Sequence, residues 1–241
     1  MSKPKVVLHW LEASRSHRVI WLLEELDIPY EVKLYKRTKE YRAPKELKAL
    51  HPLGKSPLIE VIHDDGNKEI VAESGHIFSY LLRHYDTNNK LKRDNETVDY
   101  FLHFTEGSFQ GLQVSLLIND IAVQKSPFLA RYLVKSILGM INSQFYIPES
   151  IKIYDYLEEL MKKQHANGSQ VIVGDSLTAA DIMLSFPVNN MFDRPDFVSR
   201  VFGKLNVKER YPNIYKWNQY MQSHPNLLKA NEVITNLGAK L

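Results

Sequence analysis

Cysteine is absent from all 241 residues. That absence excludes disulfides, thiolate metal sites, CxxC redox chemistry and a cysteine nucleophile. Long apolar runs are missing as well. None approaches about 18 residues, so no segment reads as a membrane span. The apolar stretch from Lys5 to Trp10 is short and soon interrupted by Glu12, which excludes a signal-peptide reading. Neither sign of charge dominates: 31 Lys and Arg stand against 28 Asp and Glu, a net of +3. A dedicated nucleic-acid binder gathers a larger basic excess on one face, so none is expected here. Nine histidines show no His-x-x-x-His spacing and no His/Asp cluster, so no metal site is expected either. No internal repeat or low-complexity segment interrupts the chain.

What is present is ordinary for a globular protein, with 44% hydrophobic and 24% charged residues. The length suffices for two modest domains or one large one. The expected compartment is the cytoplasm. The alternative is peroxisomal, because the terminal Ala239-Lys240-Leu241 differs by one residue from a Ser-Lys-Leu address.

Val6 to Trp10 reads as a buried strand. Ser14-Arg15-Ser16-His17-Arg18 then opens a helix, with Val19, Ile20, Leu22, Leu23 and Leu26 at helical spacing. A strand over Tyr30–Tyr35 follows, then a short helix from Ala43 to Leu50 with Pro44 in its first turn. Two strands, Pro57–Ile62 and Glu69–Ala72, are joined across Asp64-Asp65-Gly66-Asn67, a hairpin turn by composition. Ser74 to Tyr85 is a helix. The order β-α-β-α-β-β-α predicts a compact α/β unit with parallel and antiparallel pairs in one sheet. Residues 88–95 are polar and read as a linker. Beyond them the periodicity is helical only, with helices expected near Glu96–Ile121, Pro127–Gln144, Ile151–His165, Ala179–Met191, Pro212–Ser223 and Pro225–Leu237. The expected domains are thus 1–87, α/β, and 96–241, all-α. Leu177-Thr178-Ala179-Ala180-Asp181-Ile182 carries a capping box with its hydrophobic staple, a structural motif and not a catalytic Thr/Asp pair.

One stretch, from His51 to Val61, organises the rest. It stops a turn at Gly54 and opens a strand at Pro57, where a missing N–H is tolerated. A Ser56-Pro57 bond entering a strand from a tight turn suits a cis peptide. That geometry leaves the N–H and C=O of Ser56 outside the ladder, free to pair with the backbone of a bound peptide. Glu73-Ser74-Gly75 starts a helix and offers an anion site at its N-terminus. A peptide-backbone clamp beside an anion site points to a small, acidic, peptide-like ligand.

Four motifs carry a family resemblance: Ser14 to Arg18 with Trp21 to Leu26, His51 to Pro57, Ala72 to Gly75, and Gly174 to Asp181. In this order and on these elements, the chain resembles a cytosolic-type glutathione S-transferase of the fungal and bacterial branch. The resemblance implies a thioredoxin-like N-terminal domain that binds glutathione and an all-helical C-terminal domain that helps bind the electrophile. It implies that Ser56 and Pro57 clamp the cysteinyl backbone, that Glu73 and Ser74 hold the γ-glutamyl end, and that Lys55 reaches the glycyl carboxylate. Trp10 stands where one set of family members has an activating Tyr. In another set a Ser four residues before an Arg activates the thiol, and Ser14 stands four before Arg18. Ser14 is therefore the expected catalytic residue, doubling as an N-cap, with Ser16 the alternative.

The implied activity is conjugation of glutathione, as co-substrate, to small hydrophobic electrophiles, with reduction of organic hydroperoxides as a further activity. The other class of function is a non-catalytic glutathione-binding regulator or ligand carrier on the same fold. A homodimer is implied by the resemblance alone. The basic run through Lys33, Lys36, Arg37, Lys39 and Arg42 reads as a solvated surface, with peripheral membrane association as the alternative. Tyr100, Phe101, Phe104 and Phe109 read as core before pocket.

Overall fold

The computed structural model describes residues 4–12, 14–92 and 94–238. The terminal Ala239-Lys240-Leu241 lies outside them. Two compact units divide the chain. The first holds the described residues of Met1–Leu102, Leu177–Phe186 and Gln219–Leu241; the second holds His103–Ser176 and Pro187–Asn218.

The first unit is built on a four-stranded sheet in the order β2-β1-β3-β4. Strand β1 (Lys5–Leu11) pairs parallel with β2 (Tyr30–Tyr35) and antiparallel with β3 (Leu58–Ile62), which pairs antiparallel with β4 (Lys68–Ala72). Val6 to Leu11 are buried without a break. A continuous apolar run is what a central strand covered on both faces requires. Helix α1 (His17–Glu25) buries Val19 to Leu23 in sequence. Helix α2 (Glu46–Leu50) is shorter than the periodicity predicted, because Ala43 and Pro44 are irregular and Lys45 is a turn before the first helical residue. Helix α3 (Ser74–Tyr85) buries Ile77, Phe78, Leu81 and Leu82.

The polar segment after α3 is pinned to this unit. Asp86, 2% exposed, accepts from the N–H groups of Lys90 and Leu91 at 2.8 and 3.0 Å. Lys90 donates to the Glu25 carboxylate at 2.8 Å and to its carbonyl at 2.9 Å. Glu25 also accepts from the Trp21 indole at 3.0 Å, so this buried carboxylate is held by charge and by a neutral donor together.

Helix α4 (Glu96–Phe104) continues through a π-helical turn, Thr105–Phe109, into α5 (Gln110–Lys125). Helix α6 (Arg131–Ile141) runs through a second π turn, Asn142–Tyr146, into α7 (Ile147–Ala166). The sequence reading broke this helix before Ile151. Pro148, one residue into α7, cannot donate to a carbonyl four residues back, and a widened turn lets the helix continue past it. Helix α8 (Ala179–Asp193) is followed by α9 (Pro195–Phe202) and α10 (Val207–Arg210), two short helices the periodicity did not reveal. The last two are α11 (Pro212–Gln222) and α12 (Pro225–Asn236). Within the second unit, buried Gln113 donates to Tyr154 Oη at 3.1 Å and to the Pro187 carbonyl at 2.8 Å, and accepts from Asn190 at 2.8 Å. Phe109 is fully buried against Tyr154, core as expected, whereas the expectation of core is corrected for Tyr100, which is 48% exposed while its helix buries Val98, Phe101 and Leu102 instead. Among the described residues no helix is long and apolar enough to cross a membrane.

Candidate functional site

Strand directions alone gather the candidates. Because β1 runs antiparallel to β3, and β3 to β4, the end of β1, the start of β3 and the end of β4 share one edge of the sheet. Leu58 marks the place: it pairs with His9 on one side and Ala72 on the other. Ser14 and Ser16 follow β1. Lys55, Ser56 and Pro57 precede β3. Glu73 and Ser74 follow β4. All the residues predicted from sequence thus issue from the same end of the sheet.

The turn into β3 is tightly specified. Gly54 has φ +56°, and a Cβ there would meet the Lys48 Cγ at 2.5 Å, so only glycine fits. The Ser56-Pro57 bond is cis. Pro57 is buried, Ser56 half-buried and Lys55 exposed. At the other corner Glu73 holds φ +70° and ψ 126°, a conformation a side chain disfavours. Such backbone costs on the order of 1–3 kcal/mol and is found at ligand clamps. Glu73 is exposed, its carbonyl accepts the first helical bond of α3 from Ile77 at 2.8 Å, and Ser74 beside it is 3% exposed.

Three serine hydroxyls form a chain between these segments. Ser14 Oγ lies 2.8 Å from Ser16 Oγ, which lies 2.8 Å from Ser56 Oγ, which donates to the His9 carbonyl at 2.9 Å. Their protons can be placed one by one. A carbonyl only accepts, so Ser56 donates to His9. Ser56 must then accept from Ser16, and Ser16 from Ser14. Ser56 Oγ also accepts from the Leu11 N–H at 3.3 Å, and Ser14 Oγ from the Ser16 N–H at 3.2 Å. Ser14 is 8% exposed and Ser16 fully buried. The expectation that Ser14 caps α1 is corrected: the cap position is Ser16, and the Ser14 oxygen, two residues before that cap, closes a local turn.

Two residues of the Ser14–Arg18 motif have surroundings that the sequence reading did not assign. Arg18 is 1% exposed, and its guanidinium donates to the Met183 carbonyl of α8 at 2.9 Å. Pro187 stands four residues after Met183 inside that helix and has no N–H to give it, so Arg18 supplies the missing donor. The signal was legible as a proline within a helical pattern. His17, at the first position of α1, has its Nδ1 buried, and burial holds its pKa down at about 4. Trp10 is 1% exposed with a buried indole N–H, a core residue of β1.

Comparison with known proteins gives the context. The glutathione S-transferase N-terminal domain family matches residues 4–83, and the glutathione S-transferase C-terminal domain family matches residues 147–225. Glutathione S-transferase 1 of Saccharomyces cerevisiae is 35% identical, with 99% of each chain covered. The chain belongs to the glutathione S-transferase family. Glutathione S-transferase 3 of Schizosaccharomyces pombe is 32% identical, covering 91% of this chain and 84% of that one. A solved glutathione S-transferase of Actinobacillus pleuropneumoniae shares 31% identity, covering 94% and 91% of the two chains, with a TM-score of 0.63. A glutathione transferase homologue of Lodderomyces elongisporus, solved with two glutathione molecules per subunit, has the same fold at 20% identity, covering 97% and 99%, with a TM-score of 0.71. In this glutathione S-transferase the N-terminal match runs from β1 into α3 and includes every candidate residue of the sheet edge. The mixed sheet is the thioredoxin-like domain expected from the sequence, and a helical domain follows it.

Proposed function

We propose that the enzyme conjugates the glutathione thiolate to small hydrophobic electrophiles, with Ser14 as the hydroxyl donor to the sulfur. The observation that carries the reading is the meeting of Ser14, the Ser56-Pro57 turn and the Glu73-Ser74 helix start at one sheet edge. The backbone of Ser56 binds the cysteinyl unit as an added strand does. The Glu73 carboxylate takes the γ-glutamyl ammonium, and the Ser74 hydroxyl with the α3 N–H groups takes its carboxylate. Lys55 takes the glycyl carboxylate from solvent.

Thiolate is the nucleophile, and a free thiol with a pKa of about 8.5 is only about 3% ionised at pH 7. A fall of about two units needs roughly 2.7 kcal/mol of preference for the charged form. One hydroxyl donating to an anion supplies roughly 1.5–3 kcal/mol. The N-terminus of α1 adds roughly 0.3–1 kcal/mol for a nearby anion. No general base is needed.

The test is a glutathione titration followed by conjugation to 1-chloro-2,4-dinitrobenzene on the same sample. Binding without turnover would replace this reading with the non-catalytic regulator or carrier. Ser14→Ala should leave binding near pH 6 intact, raise the pKa of bound glutathione by about one to two units, and cut turnover at pH 6.5 roughly tenfold or more. Much of that loss should return toward pH 9. Hydroperoxide reduction, a detoxifying role, a cytoplasmic location and a homodimer belong to the same proposal and rest on the family resemblance. Sedimentation at micromolar concentration tests the dimer.

A further inference from the structure

The serine chain, as its protons are ordered in the structure, holds the Ser14 proton on Ser16 and not on a ligand. Ser16 has one hydroxyl proton and two acceptors within 2.8 Å, Ser14 and Ser56. It is fully buried, so no solvent contact offers a third choice. Resting on the role of Ser14 proposed above, we propose that the Ser56 hydroxyl is a positioning group that sets the resting order of this relay, and that thiolate formation reverses the order through Ser16.

In the resting order Ser14 donates to Ser16, Ser16 to Ser56, and Ser56 to the His9 carbonyl. In the reversed order Ser16 donates to Ser14 and Ser14 donates to the sulfur, while Ser56 keeps the His9 carbonyl. The thiol proton leaves to solvent; no O–H bond breaks, and two hydroxyls rotate. Each order contains three hydrogen bonds. Ionisation exchanges the neutral bond from Ser16 to Ser56 for a charge-assisted bond from Ser14 to sulfur. Ser56 tolerates the exchange, because it still accepts from the Leu11 N–H and donates to His9. The resting order therefore opposes ionisation by one neutral hydrogen bond, and Ser56 is what creates that opposition.

The consequence runs against the usual effect of deleting a polar group beside an anion. Ser56→Ala should lower the pKa of bound glutathione, by about half a unit to one unit, the worth of one neutral hydrogen bond. Ser56→Thr keeps the hydroxyl and should keep the wild-type value. In a Ser14→Ala background Ser56→Ala should do nothing to the pKa, because Ser56 acts only through Ser14. The readout is thiolate absorbance against pH. A raised or unchanged pKa in Ser56→Ala, with Ser14→Ala shifted upward, overturns the relay and leaves the role of Ser14 standing. An unshifted Ser14→Ala overturns that role itself. A measurement on the wild-type chain covers a variant that fails to fold. The Leu11 amide proton should move downfield with the pKa of bound glutathione, since Ser56 loses its competing donor from Ser16. A flat Leu11 shift through that pKa would overturn the proposal.

Discussion

The carboxylate of Asp181 holds the first turn of α8, and deleting it should cost more than deleting the threonine that caps it. Asp181 and Thr178 are both fully buried. One oxygen, Oδ2, accepts from the Thr178 N–H at 2.9 Å and from the Thr178 hydroxyl at 2.7 Å. The reach-back half of the expected capping box is present, and the hydroxyl serves it as a donor. Thr178→Ala removes one hydrogen bond to a charged group, roughly 1.5–3 kcal/mol. Asp181→Ala strands two buried donors at roughly 1–3 kcal/mol each, and relief of carboxylate desolvation offsets part of that. The expected cost is about 2–5 kcal/mol. Thr178→Ser keeps both bonds and loses one buried methyl, about 0.8 kcal/mol. Urea unfolding followed by tryptophan fluorescence should rank the losses Asp181→Ala, Thr178→Ala, Thr178→Ser. Glutathione affinity of the native fraction should not change. Were Thr178→Ala the costlier change, the carboxylate would not be the hub. A collapse of affinity at full stability would instead move the pair into the binding site.

Glu73→Ala should weaken glutathione binding on the order of ten- to a hundredfold, since an ammonium loses a charge-assisted partner; an unchanged titration removes Glu73 from the site. His17 has its pKa lowered to about 4 by burial, against 6.5 in an unfolded chain. Stability that is complete above about pH 6.5 should therefore be lost as pH falls toward 4, by up to about 3 kcal/mol. His17→Asn should flatten that part of the stability profile, and an unaltered acid slope would count against a neutral buried imidazole. Arg18→Met should cost roughly 1–3 kcal/mol by orphaning the Met183 carbonyl. In a Pro187→Ala background, where the helix supplies its own N–H, that cost should shrink, and equal costs in both backgrounds would refute the substitution of one donor for the other.

Much of the fold was legible because local patterns suffice for it. The order of elements along the chain, the hairpin at Gly66 and the start of α3 at Ser74 follow from period, turn chemistry and breakers acting over a few residues. The Ser56-Pro57 turn was legible for the same reason, as proline at a strand opening narrows the backbone by itself. What failed also failed locally. Pro148 broke the predicted helix because a π turn is indistinguishable, in sequence, from a stop. Helices α9 and α10 are too short, at eight and four residues, to show a period.

Residue types determined which groups are available for chemistry: no thiol in the chain, serines before α1, a carboxylate before α3. Tertiary structure alone decided how those groups meet. Ser14, Ser16 and Ser56 are joined because antiparallel pairing of β1 with β3 brings positions forty residues apart to one edge, and the His9 carbonyl then sets the direction of every hydroxyl in the chain. Arg18 is buried because Pro187, far along the chain, leaves a carbonyl that only a folded neighbour can reach. A hydrogen bond's direction depends on what its partner can still accept, and that is settled only when the last partner is in place.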